Sequence, residues 1–438
     1  MNSTEHSYSW KPASIASVRW ILFGTVCGLV IGLFGSLFAI AIRFATNLRD
    51  AHPQVLFLLP LLGCAIIFCY HRIGSREDKG TNTVISAIRS GEHVPPQMAP
   101  LIFLSTVLTH LGGGSAGREG AALQLGGSIS DMMGRLFRFH SNERRRVIMC
   151  GMSAAFSALF GTPLAAAIFA IEVSTVGLIY DSALVPCAIS ALTARAVASL
   201  FGLGPETYVI EAAPAFTPLT AVLTVALSAL CGLLSTFFCV FLHRTEHFVE
   251  QRFRNEYLRI VLCAVALIVM TLLVGSQTYN GAGAPVIEMC FEEEAALIPA
   301  YAFLLKMLFT AVTLSGGFKG GEIVPSLFVG ATFGTLFGRL VAAAAPALAF
   351  LPGMSALGTS GTAIWAAVGM GCMFCGVTNC PIASILICFE MFGFAGMPFC
   401  FLGAAIAYMT SGHFGLYHSQ KILYSKFEPG EIDSPIHD

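Results

Sequence analysis

The segment Leu111-Gly-Gly-Gly-Ser-Ala-Gly-Arg-Glu-Gly-Ala-Ala-Leu-Gln-Leu-Gly-Gly127 sets one acid and one base among glycines in a hydrophobic chain. A carboxylate at membrane depth is disfavoured by roughly 2.5–3.5 kcal/mol on insertion scales, so Glu119 is a candidate functional residue. A helix that begins near Gly120 would present free N–H groups and its positive dipole end to an anion. We therefore expect Gly117, Arg118 and Gly120 to line an anion site that the Glu119 carboxylate can also occupy.

This segment has a second copy 203 residues further on, Leu314-Ser-Gly-Gly-Phe-Lys-Gly-Gly-Glu-Ile-Val-Pro-Ser-Leu-Phe-Val-Gly330. At that offset Glu119 lies over Glu322, and four glycines of the first segment lie over glycines of the second. A further pair of segments runs from Pro163 to Glu172 and from Pro381 to Glu390, each with proline and glutamate nine residues apart. Because the matching segments occur in the same order in both halves of the chain, the sequence predicts a two-fold internal duplication. Glycine-interrupted hydrophobic segments at matching places in two halves point to the ion site of a transporter.

The composition is that of a polytopic membrane protein. Of 438 residues, 55% are hydrophobic and 11% are charged, with a mean hydropathy of +0.76. The net charge of −1 gives no case for binding nucleic acid. The first hydrophobic run, about residues 20–44, is longer than the core of a signal peptide and predicts a retained transmembrane helix. Most of the 14 cysteines lie in apolar runs, where free cysteine packs as a small hydrophobe.

We expect five regions along the chain. Residues 1–18 form a cytoplasmic N-terminal segment, 19–201 the first inverted repeat, 202–216 a linker, 217–411 the second inverted repeat and 412–438 a short, polar cytoplasmic tail without a folded regulatory domain. The predicted spans after 20–44 are 55–70, 98–110, 119–136, 147–160, 163–172, 182–200, 219–242, 258–274, 297–314, 325–344, 362–376, 381–392 and 397–410.

Several predicted helices are too short to cross a membrane. The segment from Gly80 to Arg89 has only about ten residues, too few for about 30 Å of hydrocarbon, and predicts a half-helix with Thr81 to Thr83 at its start. Irregular backbone at membrane depth is tolerated only where protein or a water-filled cavity surrounds it. The basic cluster from Arg135 to Arg146 predicts a cytoplasmic loop by the positive-inside rule.

Taken together, these segments resemble the CLC family of anion channels and proton-coupled anion transporters over almost the whole chain. The resemblance rests on Gly117-Arg-Glu-Gly120 with Gly126-Gly127, on Gly316-Gly-Phe-Lys-Gly-Gly-Glu-Ile-Val-Pro325, on Gly161-Thr-Pro-Leu164 and on Leu416-Tyr417. It implies an all-α polytopic membrane protein in which two inverted repeats with tilted and broken helices meet at a midplane anion site. It also implies a homodimer with one pathway in each subunit.

The resemblance assigns roles to individual residues. Glu119 matches the gating glutamate, which occupies an anion site when charged and swings out when protonated. Tyr417 matches the tyrosine whose hydroxyl faces the central anion, and Thr81 falls where chloride-selective members usually have a serine. The backbone amides of Ile323 and Val324 would donate to the same ion.

Two positions depart from the chloride/proton exchangers. Those proteins carry an inner glutamate immediately after the acid matched by Glu172, where this chain has Val173. Glu322 stands where they have a hydrophobic residue. Both traits resemble the bacterial fluoride/proton branch, although that branch commonly has threonine where this chain has Val324. The resemblance therefore favours fluoride over chloride.

Several candidates also have a simpler interpretation. Glu119 could form a structural ion pair with Arg118, and Glu322 could cap its own helix. Thr81 and Thr83 could be N-caps, and Tyr417 could be an interfacial anchor. Lys319 could be a loop charge that draws anions toward the mouth of the pathway, or a simple surface lysine. We interpret Glu172 and Glu390 as structural acids that close their helices, and His110 as a core histidine.

The sequence therefore predicts a secondary active transporter that exchanges a halide, with fluoride favoured and chloride possible, for protons through Glu119 and Glu322. The alternative is a passive chloride channel of the same family, gated by voltage or protons. No metalloprotease, serine hydrolase or nucleotide motif is present, so we expect no enzyme, cofactor or metal site. We expect a homodimer in the lipid bilayer of the inner cell membrane, with both termini cytoplasmic and with halide and proton as its ligands.

Overall fold

The computed structural model of the chain describes residues 10–73, 79–210, 213–347, 349–350, 353–354, 361–427 and 430–436, with the side chains of residues 10–15 left out. The first half of this part contains helices α1 (Trp10–Ala51), α2 (Leu59–Ile73), α3 (Thr81–Ser90), α4 (Met98–Gly112), α5 (Glu119–Leu136), α6 (Arg144–Phe160), α7 (Pro163–Glu172) and α8 (Leu184–Leu200). The second half contains α9 (Pro218–Arg252), α10 (Glu256–Val274), α11 (Ala284–Met289), α12 (Ala302–Ser315), α13 (Ile323–Ala344), α14 (Ala363–Thr378), α15 (Pro381–Phe392) and α16 (Met397–Thr410). Three short 3₁₀ helices lie at Pro53–Leu58, Asp181–Ala183 and Glu293–Leu297.

The two halves repeat one order of long and short helices. Each begins with its longest helix, 42 residues in α1 and 35 in α9. The third helix of each half is short, ten residues in α3 and six in α11, and each follows a glycine with positive φ. In the described part of the chain, six segments are long and apolar enough to cross a membrane, and shorter apolar helices stand between them. The fold is therefore the predicted all-α polytopic membrane fold with full-length and broken helices.

The repeats are inverted relative to each other, as helices α7 and α15 show. Glu390 near the end of α15 accepts hydrogen bonds from the backbone of Leu164 and Ala165 at the start of α7, at 2.9 and 2.8 Å. Glu172 at the end of α7 accepts from Ile382 and Ala383 at the start of α15, at 3.1 and 2.9 Å. Each carboxylate thus caps the other helix, so α7 and α15 run antiparallel. These bonds support the structural interpretation of both glutamates.

Glycine contacts give the direction of the long helices. Gly24, Gly28 and Gly32 of α1 pack in sequence order along α8, so α1 and α8 run parallel. At the start of α1, Arg19 donates hydrogen bonds to the carbonyls of Phe137 and Arg138 at 3.3 and 3.1 Å. We call this side, with the arginine cluster between Arg135 and Arg146, the basic face. Helices α1 and α8 therefore end at the opposite face, and α9, about 52 Å long at 1.5 Å per residue, returns from there.

Close packing between glycines joins α5 to α6 in the first half and the corresponding helices, α13 and α14, in the second. A Cβ on Gly126 of α5 would lie 2.2 Å from the carbonyl oxygen of Gly151 on α6. A Cβ on Gly330 of α13 would lie 2.3 Å from the carbonyl oxygen of Gly369 on α14. No side chain fits at either contact, so the backbones approach as closely as small residues allow in membrane helix pairs. This packing fixes where α5 and α13 begin.

The tail contains part of a small sheet that the sequence did not predict. Strands β1 (Thr175–Val176), β2 (Lys421–Tyr424) and β3 (Glu431–Pro435) form a three-stranded sheet, with β1 parallel to β2 and β2 antiparallel to β3. Inside the tail, Lys426 donates hydrogen bonds to Asn379 and to the Tyr408 carbonyl, at 2.6 and 2.9 Å. Burial lowers the pKa of Lys426 to about 8. The tail is therefore packed against both halves of the molecule.

Several predicted boundaries differ from the structure. Helix α1 begins at Trp10, inside the predicted N-terminal segment 1–18, whose first nine residues lie outside the described part. Helix α9 continues to Arg252, ten residues past the predicted end, because charged residues are tolerated once a helix leaves the hydrocarbon. Helix α12 begins at Ala302, not at 297, because a 3₁₀ turn and Pro299 precede it. Residues 211–212 of the linker and 428–429 and 437–438 of the tail also lie outside the described residues.

Candidate functional site

Three helix starts meet at the centre of the molecule. The backbones of Gly117 and Gly321 exchange two hydrogen bonds, of 2.6 and 2.9 Å, in an antiparallel bridge. This bridge brings the starts of α5 and α13 together. A Cβ on Gly120 would lie 2.9 Å from Thr81 Oγ1 at the start of α3 and 3.2 Å from the Cα of Gly321. The free N–H groups of three helix starts therefore converge, as an anion site requires.

In the structure, the two copies of the glycine-rich segment align at an offset one residue larger than the 203 residues found in the sequence. Glu119 is the first helical residue of α5, preceded by Arg118 as N-cap. The first helical residue of α13 is Ile323, and Glu322 is its N-cap. Since Gly117 also pairs with Gly321, not with Gly320, the structural offset here is 204 residues. The predicted equivalence of Glu119 and Glu322 is thus corrected: Glu322 occupies the place of Arg118.

The Glu119 carboxylate is enclosed by protein and lies against one base. The residue is 0% exposed, and its Oε2 accepts a 2.9 Å hydrogen bond from the backbone N–H of Arg118. Its Oε1 lies 3.5 Å from Arg118 Nε and has no hydrogen bond within the described residues. The ion pair that the sequence suggested is therefore present. The carboxylate is therefore held through Oε2 by a backbone N–H and through Oε1 by a longer contact with the guanidinium.

The second acid faces an open cavity. Glu322 lies on the wall of a cavity of about 1300 Å³, which also contains the end of α9 and the residues Lys319, Glu246, His243 and His418. Because α9 ends at the basic face, this cavity is a vestibule that opens there. Lys319 lies over the Tyr70 ring at 4.7 Å, so it is a wall residue of the vestibule. A Cβ on Gly120 would be 3.6 Å from Glu322 Oε2, which places this carboxylate between the vestibule and the three helix starts.

The Thr81 hydroxyl bonds across helices and does not cap its own helix. Thr81 is the first residue of α3, after Gly80 as N-cap. Its Oγ1 donates to the Gly120 carbonyl at 3.3 Å and accepts from Gln124 Nε2 at 3.3 Å. The N-cap interpretation is therefore wrong for Thr81. It is also wrong for Thr83, which is the third residue of α3 and whose Oγ1 accepts from the backbone N–H of Lys79, before the helix, at 3.1 Å.

The remaining predicted residues are buried around the same place. Ile323 and Val324 are 0% and 5% exposed at the start of α13, and their N–H groups belong to its first turn. Tyr417 is 1% exposed, so it is not an interfacial anchor. Its hydroxyl has no hydrogen-bond partner among the described residues, and the charges of Glu322 and Glu119 act on it. A buried hydroxyl of this kind is available to a ligand.

The comparisons with known proteins agree with this geometry. The profile of a family described as voltage gated chloride channel matches residues 62–412. A chloride/fluoride channel protein from Pseudomonas syringae pv. tomato is 34% identical over 415 residues, which are 93% of this chain and 87% of that protein.

The chain belongs to the voltage-gated chloride channel family.

Solved structures of related proteins share the fold. The crystal structure of a CLC-type fluoride/proton antiporter matches with a TM-score of 0.84 at 30% sequence identity, over 92% of this chain and 98% of that one. A slow cyanobacterial Cl⁻/H⁺ antiporter matches with a TM-score of 0.76 at 18% identity, over 90% of this chain and 94% of that one, which shows the fold alone. The voltage-gated chloride channel family contains channels and transporters, which speaks against an enzyme.

Three polar residues near the starts of α3, α5 and α13 were not identified from the sequence. Glu206 of the linker forms an ion pair with Arg118. Gln124 donates to Thr81, and Lys306 is fully buried and donates to Ser115 Oγ at 3.0 Å and the Gly281 carbonyl at 2.7 Å. Lys306 could have been found, because it is the one charge in the apolar segment 302–315. Glu206 carries no such signal, since acids are common in linkers.

Proposed function

We propose that this protein exchanges a halide for protons across a membrane, with fluoride as the favoured anion and chloride as the alternative. The observation that carries the proposal is the burial of the Glu119 carboxylate where three helix starts meet. Helix N-termini favour negative charge, whether it belongs to a side chain or to a free ion. A protein that places an ionisable acid there can exchange a carboxylate for a halide.

The exchange uses Glu119 in two states. As a carboxylate it occupies the helix starts beside Gly117, Arg118 and Gly120 and excludes the anion. As the neutral acid it loses its attraction to those N–H groups and to Arg118, and the halide takes its place. The Thr81 and Tyr417 hydroxyls and the amides of Ile323 and Val324 would then supply hydrogen bonds that replace the ion's water. The cycle moves the anion and protons in opposite directions.

Glu322 favours fluoride as the anion. Fluoride is small and strongly hydrated, so a site must replace its water shell with strong hydrogen-bond donors. A protonated Glu322 is such a donor, and its carboxyl lies between the vestibule and the helix starts. The similarity to a chloride/fluoride channel protein and to a fluoride/proton antiporter supports the same choice.

The second candidate is a passive chloride channel in which Glu119 is only a gate. The observation that favours it is Val173, which stands where chloride/proton exchangers have the inner glutamate. Val173 is 0% exposed, and its carbonyl accepts a 2.8 Å hydrogen bond from Gln420. No acid can carry protons at that position. Glu322 on the vestibule wall offers the proton another route, so we favour the exchanger.

One transport experiment separates the two candidates. The protein is reconstituted into liposomes loaded with fluoride, the membrane potential is clamped with potassium and valinomycin, and external fluoride and pH are recorded with electrodes. An exchanger drives protons into the liposomes against their gradient, so the medium becomes alkaline as fluoride leaves. A channel releases fluoride without that pH change, and leakage of neutral HF acidifies the medium instead. The same assay with chloride measures selectivity.

The setting of the protein is part of the proposal. We place it in the cell's inner membrane with the basic face in the cytoplasm, because arginine and lysine are enriched on that side. The start of α1 and the tail sheet then lie on the cytoplasmic side, as do both termini. By family resemblance the working unit is a homodimer with one pathway in each subunit.

A further inference from the structure

Arg118 stands between two carboxylates that come from different parts of the chain. Its Nε lies 3.5 Å from Glu119 Oε1, and its Nη2 forms a short ion pair with Glu206 Oε1. Glu206 holds the closer contact. The Arg118 side chain is 21% exposed, Glu206 is 27% exposed and Glu119 is 0% exposed. The guanidinium therefore bridges the enclosed acid and an acid that solvent can reach.

Glu206 is held in this place by the backbone of the linker. Its N–H donates to the Phe160 carbonyl at the end of α6 at 3.0 Å, and the N–H of Tyr208 donates to the Met391 carbonyl at 2.8 Å. The Tyr208 ring stacks on Phe291 at 4.7 Å. Bonds on both sides of Glu206 thus fix the linker over Arg118 at the opposite face. The pairing of Glu206 with Arg118 follows from the fold and is not a chance contact of a loose loop.

A buried charge with only one counter-ion strongly resists the loss of that counter-ion, because the charge would then be unpaired in a poorly solvated place. If Glu119 were the sole partner of Arg118, protonation and movement of the Glu119 side chain would leave the guanidinium without a counter-ion. With Glu206 in place, Arg118 keeps a counter-ion whatever Glu119 does. We propose that Glu206 is a positioning residue of the exchange: it holds Arg118 and so frees Glu119 to be protonated and to move.

This inference rests on the proposed exchange and predicts a pH effect. Glu206 favours the neutral form of Glu119 in two ways, as a nearby negative charge and as a competitor for Arg118. Its loss therefore favours the carboxylate, and protonation of Glu119 then needs a lower pH. Other charged or titratable groups also face Arg118, Glu119 or Glu206. They are Tyr208 on the linker, Glu288 on α11, His110 on α4, Glu322 at α13 and Tyr417 before the tail sheet.

The test compares the pH profile of fluoride flux in liposomes for the wild type and Glu206→Gln. We expect the midpoint of the variant to move by about one pH unit toward acid, as nearby charges shift such groups by about that much or more. At pH values above the midpoint the rate should then fall roughly ten-fold. Glu206→Ala loses the same charge and should shift equally, which keeps the test open if one variant folds poorly. Glu206→Asp keeps the charge and should restore most of the wild-type midpoint.

The matched control is Glu288→Gln, which removes an exposed acid near Glu206 that is not paired with Arg118. Its midpoint should stay at the wild-type value. Uniform slowing of Glu206→Gln at every pH, an unshifted midpoint, or an equal shift in Glu288→Gln would each overturn the inference. Absence of proton coupling in the wild type would instead overturn the proposed exchange, and the midpoint of fluoride flux would still decide the role of Glu206.

Discussion

Glu119 and Glu322 come from two copies of one segment, yet protein encloses Glu119 and water reaches Glu322. Glu119 is the first residue of α5, accepts a hydrogen bond from the N–H of Arg118 and lies against the Arg118 guanidinium, which in turn pairs with Glu206. Glu322 precedes α13 by one residue and lies on the vestibule wall. A shift of one residue at a helix start therefore turns one acid toward the protein and the other toward solvent.

This difference teaches how an inverted repeat can serve an ordered exchange. In the proposed exchange, helix starts from both halves supply the anion site through backbone N–H groups, which do not depend on the side chains. The two acids are not placed symmetrically, so on this proposal protons would reach the site by a different acid from each face. In the proposed exchange, the proton would reach Glu119 from the opposite face past the Arg118–Glu206 pair, and from the basic face past Glu322 and the vestibule.

The largest effect should follow replacement of the enclosed acid. Glu119→Gln keeps the shape of the side chain but can neither carry a proton nor compete as an anion. Proton flux coupled to fluoride should fall by about 100-fold or more, the range in which a positioned proton-transfer group contributes. Fluoride flux should continue without coupling, measured with paired fluoride and pH electrodes. Glu172→Gln, another buried carboxylate but one that caps a helix, is the control and should stay coupled.

A smaller effect should follow replacement of the open acid. Glu322→Gln still presents a hydrogen-bond donor, and vestibule water can take over part of its proton transfer. We expect fluoride flux to fall about ten-fold, the equivalent of about 1.4 kcal/mol, with proton coupling retained and chloride favoured more than in the wild type. Parallel fluoride and chloride efflux assays measure both changes. If Glu322→Gln lost proton coupling as completely as Glu119→Gln, the two acids would be equally necessary for proton transfer, which contradicts this prediction.

The reciprocal helix caps test the symmetry of the scaffold. Glu172→Ala leaves the part-buried N–H of Ile382 and the buried N–H of Ala383 without partners, and should lower the free energy of unfolding by roughly 1–3 kcal/mol. Glu390→Ala should lower it less, because the matching N–H groups of Leu164 and Ala165 are less buried. Thermal unfolding in detergent, followed by circular dichroism, gives the order of the two. If both variants lost the same stability, the burial of the capped N–H groups would not determine how much each cap contributes.

Much of this scaffold could be predicted from local signals in the sequence. Pro163 and Pro381 begin helices where the sequence placed them, because proline suits the first turn of a helix. The half-helix at Thr81 could be predicted from its length alone. The glycines around Glu119 indicated a break at membrane depth, where an acid needs a reason to be present.

The parts that could not be predicted depend on contacts between distant residues. The one-residue shift between Glu119 and Glu322 arises from how Gly117 pairs with Gly321 across the two repeats. Glu206 meets Arg118 over 88 residues of sequence, and β1 meets β2 over a far longer interval. No local pattern encodes such pairings. They decide which acid is enclosed, and so they decide the chemistry of the site.

The smallest predicted effect compares the third helix of each half. Gly80 and Gly283 both precede a short helix with positive φ, but the next residue is Thr81 in one half and Ala284 in the other. Thr81→Ala therefore gives the first half the side chain of the second. If the Thr81 hydroxyl donates to the anion, its removal should cost about 1 kcal/mol, or roughly five-fold in fluoride affinity. Isothermal titration in detergent measures this affinity. Thr83→Ala removes a hydroxyl that bonds to Lys79 instead and should leave the affinity unchanged. An unchanged affinity in Thr81→Ala would mean that the helix starts alone bind the ion, and that the two halves contribute more equally than their side chains indicate.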